Sequence, residues 1–165
     1  LRERTRRVHV QHPVTEAITC LELVEVPFRV AIGEPLGLVQ EDIKFTGHAI
    51  EVRLCSEDAG HDCMPQSGTM ALGQMPEGLR VEHALQSGSE ISPFYDSMIA
   101  KIISHGTTRD EARGKLISGL EQTAAFGVTT NQGFLISCPR PPGFAGGEPT
   151  TACPRNPAAS PAAHP

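Results

Sequence analysis

The chain has 165 residues, no tryptophan, one tyrosine and six phenylalanines. A hydrophobic core must therefore rest on Leu, Ile, Val, Met and Ala, and the stacked aromatics that hold single-stranded nucleic acid are lacking. Cationic excess is lacking too: the formal net charge is −5 and the pI about 5.8, which argues against a nucleic-acid partner. Glu3 interrupts the one basic run, Arg2 to Arg7. No apolar run reaches the roughly 20 residues a bilayer demands, and no signal-peptide pattern opens the chain, so a membrane partner is not expected. The five cysteines, Cys20, Cys55, Cys63, Cys138 and Cys153, include no CxxC pair. That excludes the usual zinc and disulfide frameworks and fits a reducing compartment. His61, Asp62 and Cys63 are adjacent, and adjacent side chains rarely converge on one metal, so they read as a polar loop. Neither GxxxxGK[ST] nor GxGxxG occurs, so the chain has no phosphate loop of its own.

What the chain does have is a charged alternation at its start. In an extended segment alternate side chains share a face, so Glu3, Thr5, Arg7, His9 and Gln11 would line one surface within about 25 Å of backbone. The guanidinium of Arg7 offers a planar donor fork matched to carboxylates and phosphates. A carboxylate such as Glu3 suits a hard cation such as Mg²⁺. The same alternation also occurs on polar strand faces beside solvent, so the pattern alone leaves both readings open. Gly47 to Leu54 alternates as well, with Ala49, Glu51 and Arg53 on one face and Ile50, Val52 and Leu54 on the other.

Longer strings are more specific. Glu3, Arg7, Val10, His12, Pro13, Val14, Thr15 and Glu16 are followed by GEPL at Gly33 to Leu36 and QEDI at Gln40 to Ile43. GHAIEVR at Gly47 to Arg53, SED, MPQSG at Met64 to Gly68, SPFYDSMIAK at Ser92 to Lys101 and TTNQGFL at Thr129 to Leu135 come next. This series resembles the C-terminal part of biotin carboxylases, from Leu1 to about Pro154, in wording nearest to acyl-CoA carboxylase alpha subunits.

The resemblance implies roles residue by residue. Glu3 matches a carboxylate on the metal that bridges the ATP phosphates, and Thr5 stands where the family has a metal-assisting asparagine. Arg7 matches the arginine that grips bicarbonate. His9 replaces a glutamine that touches bicarbonate, and the backbone N–H of Val10 supplies another contact to it. Gln11 replaces the glutamate that deprotonates bicarbonate. Arg53 matches the arginine that stabilises the enolate-like form of biotin. In the family, bicarbonate attacks the γ-phosphate of ATP to give carboxyphosphate, and the CO₂ released from it is captured by biotin. A positioned base contributes typically 10²–10⁴-fold, and a glutamine amide takes up no proton at physiological pH. Gln11 is thus expected to forfeit that factor. His9, two residues away on the same face, titrates near neutrality, but sharing a face does not establish the distance a substitute base would need.

The remaining elements read as follows. A helix is expected from Val14 to Leu23, running on toward Ile32, kinked by Pro27 at a cost of about 3 kcal/mol and stopped by Gly33-Glu34-Pro35. Short strands are expected at Thr69 to Leu72, Leu79 to Ala84 and Met98 to Ser104. Asp96 reads as a turn carboxylate, and by the resemblance Arg80 matches a dimer-interface arginine. Thr108 to Ala125 is the clearest helix, with Thr108-x-x-Glu111 as a capping box. Its apolar stripe is Ala112, Leu116, Leu120 and Ala124, and Gly127 is suited to its C-terminal turn. Eight of the 14 prolines (Pro139, Pro141, Pro142, Pro149, Pro154, Pro157, Pro161 and Pro165) fall in the last stretch, so Pro139 to Pro165 is expected to be largely disordered. No A-M-K-M biotinyl motif occurs.

These readings give an α+β fold, an antiparallel β-sheet with flanking helices of the biotin carboxylase C-terminal type. Residues 1–13 would end an ATP-grasp region, 14–138 would form the C-terminal domain, and 139–165 a Pro/Gly/Ala-rich linker or tail. The implied activity is that of an ATP-dependent C–N ligase, carboxylating biotin on a separate carrier domain for an acyl-CoA carboxylase of fatty acid metabolism. It would use ATP, Mg or Mn, and bicarbonate as substrate. None is expected to bind tightly to the chain by itself, which is expected to be inactive for want of the ATP half and the base. The implied partners are the N-terminal ATP-grasp portion, the biotin carboxyl carrier domain, a carboxyltransferase subunit and a second copy in a homodimer. The implied location is cytoplasmic, or the mitochondrial matrix in a eukaryote. The alternatives are a non-catalytic interaction module that pairs with carboxylase subunits, and a degenerate gene product.

Overall fold

A computed structural model describes residues 12–83 and 86–147. The segment MIAKIISHG, with Ile99, Ile102 and Ile103 buried, forms the strand Met98–Gly106, and it lies at the centre of the main sheet. Labelled in chain order, the elements are α1 His12–Thr19, α2 Glu25–Ala31, β1 His48–Cys55, β2 Glu57–Asp58, β3 Met64–Pro65, β4 Gly68–Thr69 and β5 Leu72–Gln74. They continue with β6 Arg80–His83, β7 Glu90–Ile91, β8 Met98–Gly106, α3 Arg109–Gln122, β9 Ala124–Phe126, α4 Gln132–Ser137 and α5 Pro142–Ala145. The main sheet has the order β1-β8-β6, and three two-stranded ribbons pair β2 with β3, β4 with β7 and β5 with β9. Every pairing is antiparallel, as the expected α+β architecture requires.

Directly opposed residues of antiparallel strands share a face, so register divides the sheet into two sides. On one side Ile50 opposes Ser104, Val52 opposes Ile102 and Leu54 opposes Ala100. That side packs on Ala112, Leu116 and Leu120 of α3, all fully buried, and joins Met70, Ile91 and Leu135 in the core. The expected faces of β1 are therefore the observed ones. Gly47 enters β1 with φ +70°, and a Cβ there would run into the Gly106 carbonyl oxygen.

The helix α3 forms where expected, with Thr108 as N-cap: its hydroxyl accepts from Glu111 N at 3.2 Å. The reciprocal bond differs from a capping box, because the Glu111 carboxylate takes the N–H and hydroxyl of Thr107 at 2.8 and 2.6 Å. The helix stops at Gln122 rather than Ala125. Gln132 Nε2 donates to the carbonyls of Leu120 and Thr123 at 2.6 and 2.8 Å, supplying the C-terminal partner that Gly127 was expected to provide. Ala124 belongs to β9, and Gly127, with φ +99°, follows that strand beside Thr69 and Ala71.

Three further expectations are corrected. The single kinked helix is two helices. Cys20 takes φ 57° and ends α1, and the Glu16 side chain accepts from Leu23 N at 3.1 Å across the break. Pro27 falls in the first turn of α2, where no intrahelical donor is needed, so the kink and its cost do not arise. The strand expected at Thr69 to Leu72 is broken at the fully buried Met70 into β4 and β5, which have different partners. The disorder expected from Pro139 does not hold for residues 139–147: Pro139 is fully buried and Phe144 of α5 packs against the core. Arg109 donates to the Phe144 carbonyl at 3.0 and 3.2 Å with its guanidinium 5.0 Å from the ring. Residues 148–165 lie outside the described residues.

Candidate functional site

The second side of the main sheet is charged. Arg53 of β1 opposes Lys101 of β8, which opposes Glu82 of β6; in the adjacent row Glu51 opposes Ile103, which opposes Arg80. Three strands thus contribute a ladder of cations and carboxylates on the face opposite the core. Lys101 Nζ pairs with Glu82 Oε2, and Arg80 Nη2 reaches Glu82 at 2.5 Å and Glu16 of α1 at 2.8 Å. The last contact places α1 on the face that carries Arg53, and Glu16 is buried there.

Electrostatics follows this pairing. Burial works against the charge of Glu82, but hydrogen bonds from Lys101 and Arg80 prevail and hold its carboxyl below the usual range. Burial likewise works against Arg80, and its bonds to Glu16 and Glu82 more than offset this, raising its pKa. Glu51 is pushed up, chiefly by burial, and its Oε2 is buried with no hydrogen-bond partner. Arg53 stands apart. It is exposed, and its guanidinium has no hydrogen-bond or ion-pair partner among the described residues. With Lys101 and Arg80 neutralised by carboxylates, Arg53 presents the open donor fork of this face.

Two features hold Arg53 in place, and composition signalled neither. The β1–β8 register shifts between Leu54 and Cys55, immediately after Arg53, and such bulges re-aim neighbouring side chains. Beside the bulge the buried Asn131 takes the place of a neighbouring strand. Its Oδ1 accepts from Cys55 N at 3.0 Å, its Nδ2 donates to Arg53 O at 3.2 Å, and its own N–H donates to Cys55 O at 3.1 Å. Asn131 lies inside the TTNQGFL string, where an isolated asparagine reads as a turn residue.

Asp96 is the turn carboxylate expected, accepting from Met98 N at 2.9 Å. A cavity of about 180 Å³, lined by Gln66, Ser67, Ser92, Tyr95 and Ser97 among others, opens beside this turn. Ser97 Oγ donates to Glu57 at 2.6 Å on its border. The Cys55 thiol is pushed up to about 11, first by burial and then by the negative charges of Glu57 and Asp96. Arg53 is the one expected site residue that the structure describes. Glu3, Thr5, Arg7, His9, Val10 and Gln11 lie outside the described residues, so the expected convergence of Arg7 on Arg53 does too. Among the described residues no group of three His, Cys, Asp or Glu side chains is placed to hold a metal ion, and no helix is long and apolar enough to cross a membrane.

Comparison with known proteins identifies the family. Residues 51–153 match the biotin carboxylase C-terminal domain, and residues 3–39 match the ATP binding domain of the carbamoyl-phosphate synthase L chain. The chain belongs to the biotin carboxylase C-terminal domain family. It is 43% identical to biotin carboxylase 2 of Bacillus subtilis over 151 residues, covering 90% of the chain and 34% of that protein. It is 40% identical to the mitochondrial methylcrotonoyl-CoA carboxylase subunit alpha of Rattus norvegicus over 137 residues, covering 81% of the chain and 19% of that protein. Among solved structures it resembles the biotin carboxylase domain of a thermophilic 2-oxoglutarate carboxylase bound to bicarbonate. That likeness has TM-score 0.88 and 40% identity, and covers 90% of this chain and 34% of the other. The chain spans about a third of the length of these two biotin carboxylases.

Proposed function

We propose that the chain forms the C-terminal part of a biotin carboxylase that carboxylates carrier-bound biotin with ATP and bicarbonate, serving an acyl-CoA carboxylase. The observation that carries this reading is Arg53, an exposed guanidinium without an ion-pair partner among the described residues, on a sheet face whose other described cations are paired, within the matched residues 51–153. A free donor fork there suits the oxyanion of a ureido ring, and its charge lowers the cost of forming that anion.

In this reading Arg7 grips bicarbonate, with His9 and the Val10 N–H as further contacts. Glu3, with weaker help from Thr5, takes the Mg or Mn that accompanies ATP. Gln11 occupies the base position and contributes no proton transfer. Residues 1–13 close an ATP-grasp region and 14–138 form the domain body. Residues 139–147 complete the domain packing before a linker. ATP binds chiefly to an N-terminal portion supplied with the chain, and the biotin carrier, carboxyltransferase and a second copy complete the assembly in the cytoplasm or the mitochondrial matrix. By itself the chain is inactive. A second reading, an interaction module pairing with carboxylase subunits, draws support from the exposed Phe28, Ile32 and Phe45, which are 69%, 76% and 75% accessible.

The test is bicarbonate-dependent ATP cleavage and biotin carboxylation by the chain joined to the ATP-binding portion of a relative. Activity is expected only in the joined protein, and Gln11→Glu should raise it by about 10²–10⁴-fold. Cleavage by the chain alone would overturn the inactivity, and no gain from Gln11→Glu would overturn the role of position 11. A joined Gln11→Glu protein without bicarbonate-dependent turnover would leave the interaction module as the surviving reading.

A further inference from the structure

The charged face links two parts of the chain that sequence separates widely. Glu16 lies one turn into α1, and α1 begins at His12, the residue directly after Gln11. Its partner Arg80 is 64 residues away on β6. The side chain of Glu16 is 7% exposed and that of Arg80 45%, so the bond runs from a partly exposed donor to a buried acceptor. Glu82 accepts from Arg80 on one side and is held by Lys101 on the other, and Lys101 opposes Arg53 in the β1–β8 register. An unbroken series of ion pairs therefore runs from the strand position beside Arg53 to the helix that continues the segment bearing Arg7 and Gln11.

The alternatives for these groups are poor. Glu16 Oε1 is committed to Leu23 N and Oε2 to Arg80. A buried carboxylate that loses its cation keeps the desolvation cost without the compensating attraction. The cheapest response is for the first turns of α1 to lift off the sheet, because α1 has only eight residues and offers only Pro13 and Glu16 as buried anchors.

We propose that Arg80 and Glu16 are positioning residues: with Glu82 and Lys101 they clamp α1 to the Arg53 face, and so fix the bicarbonate-binding segment that runs into α1. This rests on the carboxylase reading for its consequence, though not for the clamp itself. The same series keeps Lys101 and Arg80 engaged, so that Arg53 is the cation of this sheet face left open among the described residues.

Two measurements test it. In the full chain, amide hydrogen exchange is compared between α1 (Glu16 to Cys20) and α3 (Leu116 to Leu120). Glu16→Gln, which keeps an acceptor for Leu23 N but loses the charge, and Arg80→Met should each speed α1 exchange at least about tenfold and leave α3 within about twofold. Arg80→Lys should recover part of the protection. Equal loosening of α1 and α3, or unchanged α1 exchange, overturns the clamp. In the joined protein carrying Gln11→Glu, Arg80→Met should raise the KM for bicarbonate about fivefold or more with the KM for ATP unchanged. Unchanged bicarbonate KM overturns the positioning role. Absence of bicarbonate-dependent turnover before any change at Arg80 or Glu16 counts against the carboxylase reading alone, and the exchange comparison then decides the clamp.

Discussion

Replacing Asn131 by alanine should cost more than its size suggests. The side chain makes two hydrogen bonds at the bulge, to Cys55 N at 3.0 Å and Arg53 O at 3.2 Å, and Asn131 itself is 8% exposed. A buried polar group left unpaired costs roughly 1–3 kcal/mol. β1 is an outer strand of the sheet and water can reach the exposed Arg53, so the lower part of that range applies to each group. The sum is about 2–3 kcal/mol, which lowers Tm by about 5–10 °C for a domain of this size. Urea unfolding followed by circular dichroism gives the free energy, and exchange of the Cys55 amide reports the local loss. Asn131→Asp sharpens the test. Its carboxylate still accepts from Cys55 N but sets an acceptor against the Arg53 carbonyl, so it should be destabilised at neutral pH and recover when acid protonates it. An alanine variant within about 0.5 kcal/mol of the parent, or an aspartate variant as stable as the parent at pH 7, would refute the argument.

Other consequences can be checked directly. Leu116→Ala removes a fully buried side chain from the α3–sheet contact and should destabilise by about 2–5 kcal/mol in the same unfolding assay. The Cys55 thiol, with its pKa near 11, should resist iodoacetamide at pH 8 while the exposed Cys20 and Cys63 react, as peptide mapping would reveal. Glu111 is held down to about 2, first by the hydrogen bond from Lys115 and then by those from Thr107. A depressed carboxyl stabilises the fold fully above its unfolded value and loses that contribution as pH falls through its folded value. Melting curves between pH 5 and pH 2 should therefore drop less steeply for Glu111→Gln than for the parent.

The parts of the fold legible in the sequence are those in which one side chain governs one local decision. Alternation fixed the two faces of β1, and the hydroxyl of Thr108 marked the start of α3. The missed decisions were made by distant partners. Gln132 ends α3 from ten residues beyond it, and Glu16 and Leu23 span a helix break at Cys20 that has no glycine or proline to announce it. At the candidate site, Arg53 was expected because its string is specific, and it is exposed on the sheet face opposite the core. Asn131 was missed because its significance depends on the bulge beside it, and a bulge leaves no mark in composition.

The close packing of residues 139–147 bears on where the polypeptide tolerates shortening. The carbonyl of Pro139 accepts from Arg113 at 3.3 Å, that of Phe144 from Arg109, and Arg140 pairs with Glu121 at 2.8 Å. Three side chains of one helix thus grip this proline-rich strap. Cleavage after Cys138 would strip the outer wall of α3 and leave a greasy scar where Pro139 and Phe144 had been, inviting self-association in a product that still kept its sheet.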